Sequence, residues 1–293
     1  MTKSHSDIIY EGEVIDVPGI GRRPRVTTVL DQMSKPALIQ WAANMASEHA
    51  QDVILAIKNG KLNADEVLAL DIKEFVRDAK TAHTKKLEEA GDIGTRIHKI
   101  AENIFRNMMD AKKEGTSGDI EINIEIDEDI KNPVNALLAW IEQHRIDPMV
   151  VEEIVISESF GGYIGRPDSI SFVDDKLFLI DVKTSKAVYD GFPQQVAAYD
   201  HAAAETLKGL STDGTAILRL DKETGYPFFH PFTKEQTEDY LQEFGLWCLI
   251  WHTKDKRRER ENEAWEREKD RIRELKKTLP KILRKLPEGE DPF

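Results

Sequence analysis

Cysteine is almost absent from this chain, since Cys248 is the only one in 293 residues. A single thiol excludes a disulfide framework, a cysteine-rich zinc site and a four-thiolate iron-sulfur cluster. Long apolar runs are lacking too. The longest, over 244–251, includes Gly245 and is far shorter than the roughly 20 residues that cross a bilayer. The first thirty residues have no apolar stretch typical of a secretory signal. We therefore expect a cytoplasmic protein without a membrane span.

An excess of positive charge is also lacking: 41 Lys and Arg stand against 54 Asp and Glu, a net charge of −13. This balance disfavours unspecific attraction to a polyanion, which depends on local Lys and Arg. The acid is unevenly distributed, however, because residues 254–285 carry fourteen basic and eight acidic side chains. Acidic groups inside a site can also bind a metal ion. The net charge therefore does not exclude a nucleic-acid partner.

The apolar pattern predicts an α/β protein with one large domain. Residues 1–26 show no periodicity and predict an extended lead-in, while 27–113 show helical spacing and predict a helical layer. Residues 149–230 are rich in β-formers and predict the sheet core of a domain that spans 27–252. The remainder, 253–293, predicts a charged helical tail. The 40% of hydrophobic residues is enough to bury a substantial core.

Local signals refine this outline at four places. Gly91 and Gly94 predict a break between two helices of the helical layer, and Pro133 predicts the start of a further helix. Alternating isoleucines over 120–126 predict a strand. A long helix is expected from about Thr233. These boundaries are testable in the structure.

The segments 168–173 and 177–183 predict a β-hairpin whose register can be worked out. If Asp174 and Asp175 form the turn, cross-strand partners have numbers that sum to 349, and Asp168 lies opposite Asp181. Two opposed carboxylates repel each other unless a cation lies between them. Mg²⁺ is a natural candidate, because it binds few carboxylates and keeps waters. Lys183 lies two residues beyond Asp181 on the same face and can approach a bound water or phosphate.

Taken alone, an Asp-x-Lys sequence is more often a surface ion-pair cluster than a site. Its context favours a site, because three further motifs accompany it in order. Gly94 to His98 has the form G-[ST]-x-x-H, Gly165 to Asp168 the form G-x-x-D, and Gln195 to Tyr199 the form Q-x-x-x-Y. Gln195 and Tyr199 are one helical turn apart and therefore point the same way.

These four motifs resemble those of the RecB-like branch of the PD-(D/E)XK nucleases, in the order and at spacings compatible with that branch. The segments 27–30 and 35–38 are also similar to phage-encoded and mitochondrial genome-maintenance exonucleases of this group. Some relatives carry four cysteines for an iron-sulfur cluster, which this sequence cannot bind. The chain therefore looks closer to the cluster-free members. The resemblance does not extend into the tail.

The resemblance implies a restriction-endonuclease-like core, a mixed central sheet flanked by helices. It implies that Asp168, Asp181, the Val182 carbonyl and His98 hold Mg²⁺ or Mn²⁺, and that Lys183 orients or activates the attacking water. A carboxylate from the preceding strand is also usual, and Glu152 fits better than Glu153 by its distance from Ser157. The residues expected to position the nucleic acid are Arg166, Thr184, Ser185, Gln195 and Tyr199.

The function expected from this resemblance is that of a Mg²⁺- or Mn²⁺-dependent DNA exonuclease acting on single-stranded or frayed ends. DNA recombination, repair or replication would be its setting, with a recombination or replication protein as a partner. Two alternatives stay open: a structure-specific endonuclease, and a catalytically idle nucleic-acid-binding protein. The intact Asp168, Asp181 and Lys183 count against the idle protein, because loss of one of them would be the simplest sign of decay.

Overall fold

A computed structural model describes residues 8–33, 36–62, 65–66, 69, 71–114 and 126–278. Three predicted features lie wholly or partly outside these ranges. They are the segment 35–38 at its first residue, the strand predicted at 120–126 except for its last residue, and the tail from 279 onward.

A mixed five-stranded sheet forms the centre of the protein, with the strand order β3-β6-β7-β8-β9. Among the described strands of this sheet only β7 and β8 pair in parallel, and the helix Gly191–Thr206, labelled α5, connects them. The bounds are β3 Ile146–Val151, β6 Ser169–Val173, β7 Lys176–Lys183, β8 Gly214–Leu220 and β9 Pro227–Thr233. Two smaller antiparallel pairs accompany the sheet: β1 Val14–Val17 with β2 Gly21–Pro24, and β4 Val155–Ser157 with β5 Tyr163–Gly165.

The register predicted for the β6–β7 hairpin is confirmed. Ser169 pairs with Ile180 and Val173 with Lys176, so each pair sums to 349. Asp174 and Asp175 both have positive φ, at 49° and 73°. That is the conformation of the two-residue turns whose twist matches the flanking strands. The hairpin therefore brings Asp168, the residue before β6, to the same end of the sheet as Asp181.

Helices cover both faces of the sheet, so the predicted α/β architecture with a long C-terminal helix is confirmed. One core cluster joins α1 and α5 to the face that carries Ile170 and Leu179. The other joins α3 and α4 to the face that carries Ile180 and Val182. The bounds are α1 Val26–Leu30, α2 Pro36–Lys58, α3 Ile72–Glu114, α4 Glu128–Gln143, α5 Gly191–Thr206 and α6 Lys234–Thr278. None of the helices in the described ranges is both long and apolar enough to cross a bilayer.

Two predicted boundaries are wrong. Gly91 and Gly94 do not divide two helices but lie inside the 43-residue helix α3. A glycine costs a helix interior only about 1 kcal/mol relative to alanine, which the buried Ile97, Ile100 and Ile104 that follow readily offset. Pro133 lies inside α4 rather than at its start, although its ring is buried. Packing therefore outweighs the local preference at each position.

The N-terminal segment contains the β1–β2 hairpin, which the sequence analysis did not anticipate. Ile15 and Val17 of β1 are buried against Ile156 and Ile164, and Arg25 forms a bridge to Ile164. The hairpin therefore packs on the β4–β5 pair, directly beside the G-x-x-D segment.

Candidate active site

The predicted site residues come from separate elements and meet at one end of the sheet. Asp168 precedes β6, Asp181 and Lys183 end β7, His98 belongs to α3, and Glu152 directly follows β3. The His98, Glu152 and Asp168 ligand atoms lie within 4.8 Å of one another. Such a cluster of one imidazole and two carboxylates can hold a metal ion.

Asp168 is buried and both of its oxygens have partners. Its Oδ1 lies 2.8 Å from His98 Nδ1, and its Oδ2 accepts a hydrogen bond of 2.6 Å from the Val182 backbone N–H. The second bond ties Asp168 to β7 just beyond the paired part of the hairpin. The carboxylate is therefore fixed by both α3 and the central sheet.

Asp181 is equally buried and is held from two sides. Its Oδ1 accepts a hydrogen bond of 3.1 Å from Gln195 Nε2, and its Oδ2 lies 2.5 Å from Lys183 Nζ. Gln195 Nε2 also donates to the Tyr199 hydroxyl at 3.0 Å. Gln195 and Tyr199 are themselves buried, at 8% and 4% exposure. Their polar groups therefore point at Asp181 from inside the protein.

Steric crowding explains why the G-x-x-D motif has a glycine at position 165. A Cβ atom at Gly165 would lie 2.4 Å from Tyr199 Cδ1, far inside any normal contact. Only a residue without a side chain lets the Tyr199 ring lie against β5. Gly165 therefore makes room for the tyrosine that contacts Gln195, and Gln195 contacts Asp181.

Glu152, and not its neighbour Glu153, faces the site. The Glu152 carboxylate is 2.8 Å from Arg166 Nε, whereas Glu153 is exposed. Glu152 has a positive φ of 54°, which turns the chain directly after β3. Arg166 is about half-exposed and reaches from Glu152 to the ring of Tyr10, with its guanidinium carbon 5.1 Å from the ring centroid.

The predicted contacts at 182–185 have mixed placements. The Val182 side chain is buried in the core cluster with α3 and α4. Thr184 is buried next to Gly94, where a Cβ on the glycine would lie 3.8 Å from Thr184 Oγ1. Ser185 Oγ donates to the Ala187 carbonyl at 2.7 Å and so shapes the loop that follows β7.

Burial and mutual contact shift the pKa values of the clustered groups. Burial favours neutral His98, but the Asp168 carboxylate outweighs it and raises the pKa of His98 to about 9. Burial likewise opposes the charge on Asp168, yet His98 and Lys183 hold the pKa of that carboxyl below its usual value. Burial and the neighbouring Asp168 charge raise the pKa of Asp181 despite Lys183. The same two causes raise the pKa of Glu152 to about 7. Burial and mutual repulsion therefore disfavour the negative charges of Asp181 and Glu152 at this site.

A divalent cation fits this cluster. Asp181 Oδ2 is buried and accepts no hydrogen bond of regular geometry, so the Lys183 ion pair is its contact among the described residues. Lys183 supplies one positive charge, but two buried carboxylates close together are costly unless further cationic charge balances them. The carboxylates supply the oxygen donors that Mg²⁺ and Mn²⁺ prefer.

Two contacts of the site were missed by the sequence analysis. Tyr10 lies under the guanidinium groups of both Arg25 and Arg166, and Phe192 lies under the ammonium group of Lys183. Tyr10 is 142 or more positions away from Glu152 and Arg166 in the chain, and no local pattern marks it. Phe192 offered a weak signal, because it precedes the Q-x-x-x-Y motif by one turn of the same helix.

The family sequence model of the PD-(D/E)XK nuclease superfamily matches residues 70–293 of this chain, a range that includes all four motifs. No curated protein matches the chain. Among solved structures, a candidate exonuclease from Eubacterium rectale is similar with 13% identity and a TM-score of 0.36. The similarity covers 53% of this chain and 64% of that one, a little less than two thirds of its length.

Proposed function

This chain belongs to the PD-(D/E)XK nuclease superfamily, and from that premise we propose that it is a Mg²⁺- or Mn²⁺-dependent exonuclease that degrades single-stranded DNA from its ends. The observation that carries the proposal is the convergence of His98, Glu152 and Asp168 beside the buried Asp181–Lys183 pair. Four separate elements have to fold correctly to bring these groups together. A surface ion-pair cluster would not need such burial.

In this proposal Asp168, Asp181, Glu152 and His98 hold the cation, with the Val182 carbonyl as a further ligand. The bound cation supplies charge neutralisation at the scissile phosphate and lowers the pKa of a water. Lys183 orients the attacking water, because its ammonium group is held at the Asp181 carboxylate. Gln195 and Tyr199 fix Asp181 from behind. Their burial supports a positioning role more than the direct strand contact expected from the motif resemblance.

Arg166 is the best placed of the predicted substrate contacts. Its side chain is 46% exposed while Glu152 and Tyr10 fix its direction. A guanidinium held in this way suits a phosphate oxygen next to the metal site. Thr184 and Ser185 would act through the loop after β7. The proposed setting is DNA recombination, repair or replication. More narrowly, we propose a RecB-like enzyme of the phage type. It would act together with a protein of that recombination or replication machinery.

The test compares the Asp181–Lys183 pair with a second Asp–Lys pair, whose aspartate is buried and whose lysine is half-exposed. Asp181→Asn and Lys183→Met should abolish cleavage of an end-labelled single strand in Mg²⁺ or Mn²⁺, and chelation should abolish cleavage by the wild-type chain. The matched control is the pair Asp200–Lys234, where Asp200 is buried and lies 3.4 Å from Lys234 Nζ. Asp200→Asn and Lys234→Met should cleave normally if folded. Undiminished cleavage by Asp181→Asn would refute the assignment of the active site to this cluster.

Substrate form separates the exonuclease from its alternatives. A strand with ends should be degraded progressively, while a closed single-stranded circle should survive under the same conditions. Equal degradation of both would favour an endonuclease. Binding of DNA without any cleavage in either metal would favour an idle binding protein.

A further inference from the structure

An aromatic residue next to the site has no part in the proposed function so far. Tyr189 belongs to the loop 184–190 between β7 and α5, and its side chain is 53% exposed. Single exposed aromatic residues are common and need no explanation by themselves. The contacts that join Tyr189 to Lys183 distinguish this one.

A chain of two ring contacts leads from the Asp181–Lys183 pair to Tyr189. The Lys183 ammonium lies 5.0 Å from the centroid of the Phe192 ring. The Phe192 and Tyr189 rings meet edge to face, with centroids 5.5 Å apart and an interplanar angle of 73°. The Phe192 N–H also donates to the Tyr189 carbonyl at 2.9 Å. Tyr189 is therefore held two ring contacts away from the lysine.

The loop that carries Tyr189 is anchored on both sides. Arg219 of β8 is buried and donates from Nη1 to the Ser185 carbonyl at 3.4 Å, and Lys186 forms an ion pair of 2.9 Å with Glu223. Val188 packs against the core cluster with α5. An aromatic ring fixed in advance loses little conformational entropy when a ligand binds to it.

We propose that Tyr189 stacks on the nucleobase next to the phosphate held at the site, and so makes single-stranded DNA the preferred substrate. The inference rests on the proposed nuclease function and names a further specificity-determining residue for it. Every base has a face that can stack on a tyrosine, so the contact works without sequence preference. In a duplex the same face is covered by neighbouring bases. An unpaired strand or a frayed end leaves that face open.

The first test measures binding without cleavage. In the cleavage-dead Asp181→Asn chain, Tyr189→Ala should weaken binding of a fluorescent oligothymidine by about 5- to 150-fold, the range expected for loss of one base–aromatic stack. Tyr189→Phe should bind normally, because phenylalanine keeps the ring. The matched control is Tyr226→Ala, which removes an exposed tyrosine from the β8–β9 turn. It should change binding less than twofold.

The second test locates the stacked base. An abasic position moved along the strand should reduce kcat/KM of the wild-type chain at one place near the cleaved bond, mainly through KM. For Tyr189→Ala that abasic position should cause no further loss, because the ring and the base form one contact. Equal abasic losses in both chains, or equal losses for Tyr189→Ala and Tyr226→Ala, would overturn the inference. Absence of wild-type cleavage would instead refute the nuclease proposal, while the binding test would still decide the role of Tyr189.

Discussion

Replacing Gly165 by alanine tests whether the motifs are connected by packing. The backbone of Gly165 is not in the left-handed region, so alanine can adopt it, and the cost is steric. The new methyl group would lie 2.4 and 2.5 Å from two carbons of the Tyr199 ring. The ring is 4% exposed and has little room to withdraw. Overpacking of this kind costs about 1–3 kcal/mol. In a chain of this size that corresponds to a fall in Tm of roughly 2–10 °C.

Gly91→Ala provides the control, because it makes the same chemical change at a position of opposite character. Gly91 lies on the exposed side of α3, and a Cβ there meets nothing within 4 Å. Alanine should stabilise the helix by about 0.5–1 kcal/mol and leave activity unchanged. Gly165→Ala should also reduce kcat, because a displaced Tyr199 moves the amide of Gln195 at the Asp181 carboxylate.

The compensating variant is Gly165→Ala with Tyr199→Leu, which removes the ring that the methyl group would meet. Its loss of stability should be smaller than the sum of the two single losses. Thermal melts monitored by circular dichroism give the three values. If Gly165→Ala were as stable as the wild-type chain, or if the double variant showed additive losses, the proposed packing of Gly165 against Tyr199 would be refuted.

Further expectations concern pH, the thiol and a second glycine. Because the folded pKa of His98 is raised to about 9 from 6.5, its pairing with Asp168 stabilises the metal-free chain fully below pH 6.5 and less as pH rises through 9. His98→Asn should flatten that part of a stability curve measured in chelator; an unchanged slope would contradict the pairing. Burial excludes solvent from Cys248 and raises its pKa to about 12, so a thiol reagent at pH 8 should label it only after denaturation. Gly245→Ala should lower Tm despite the helix propensity of alanine, because its Cβ would lie 2.6 Å from the Phe160 ring; a raised Tm would show that the ring can move.

The hairpin could be predicted in register because its determinants are local. Two polar turn residues between apolar segments fix the pairing, and the alternation of side chains then fixes which faces meet. The opposition of Asp168 and Asp181 follows from these two facts. The same alternation explains why both faces of the hairpin are buried. Ile170 points to the core cluster with α1 and α5, whereas Ile180 points to the cluster with α3 and α4.

The helix boundaries and the N-terminal hairpin were harder because they depend on distant contacts. Gly94 is a helix breaker by propensity, yet α3 continues through it to bury Ile97 and its neighbours against the sheet. The β1–β2 hairpin is short, and its burial depends on Ile156 and Ile164, more than 130 residues further along the chain. A periodicity argument within a short window does not contain that information.

The contacts of the motif residues likewise depend on parts of the chain that are far apart in sequence. The motif order grouped Gly165, Gln195 and Tyr199 with the acidic residues, and the family resemblance implied that Gln195 and Tyr199 position the DNA strand. In the structure these residues form a continuous series of contacts: Gly165 leaves room for the Tyr199 ring, the Tyr199 hydroxyl accepts from Gln195, and Gln195 donates to Asp181. Each residue of the series packs against the next one or is hydrogen-bonded to it. We therefore expect a substitution at any of them to disturb the Asp181 carboxylate. A buried series of this kind can hold a carboxylate in one orientation beside another like charge, and this is the positioning role proposed for Gln195 and Tyr199.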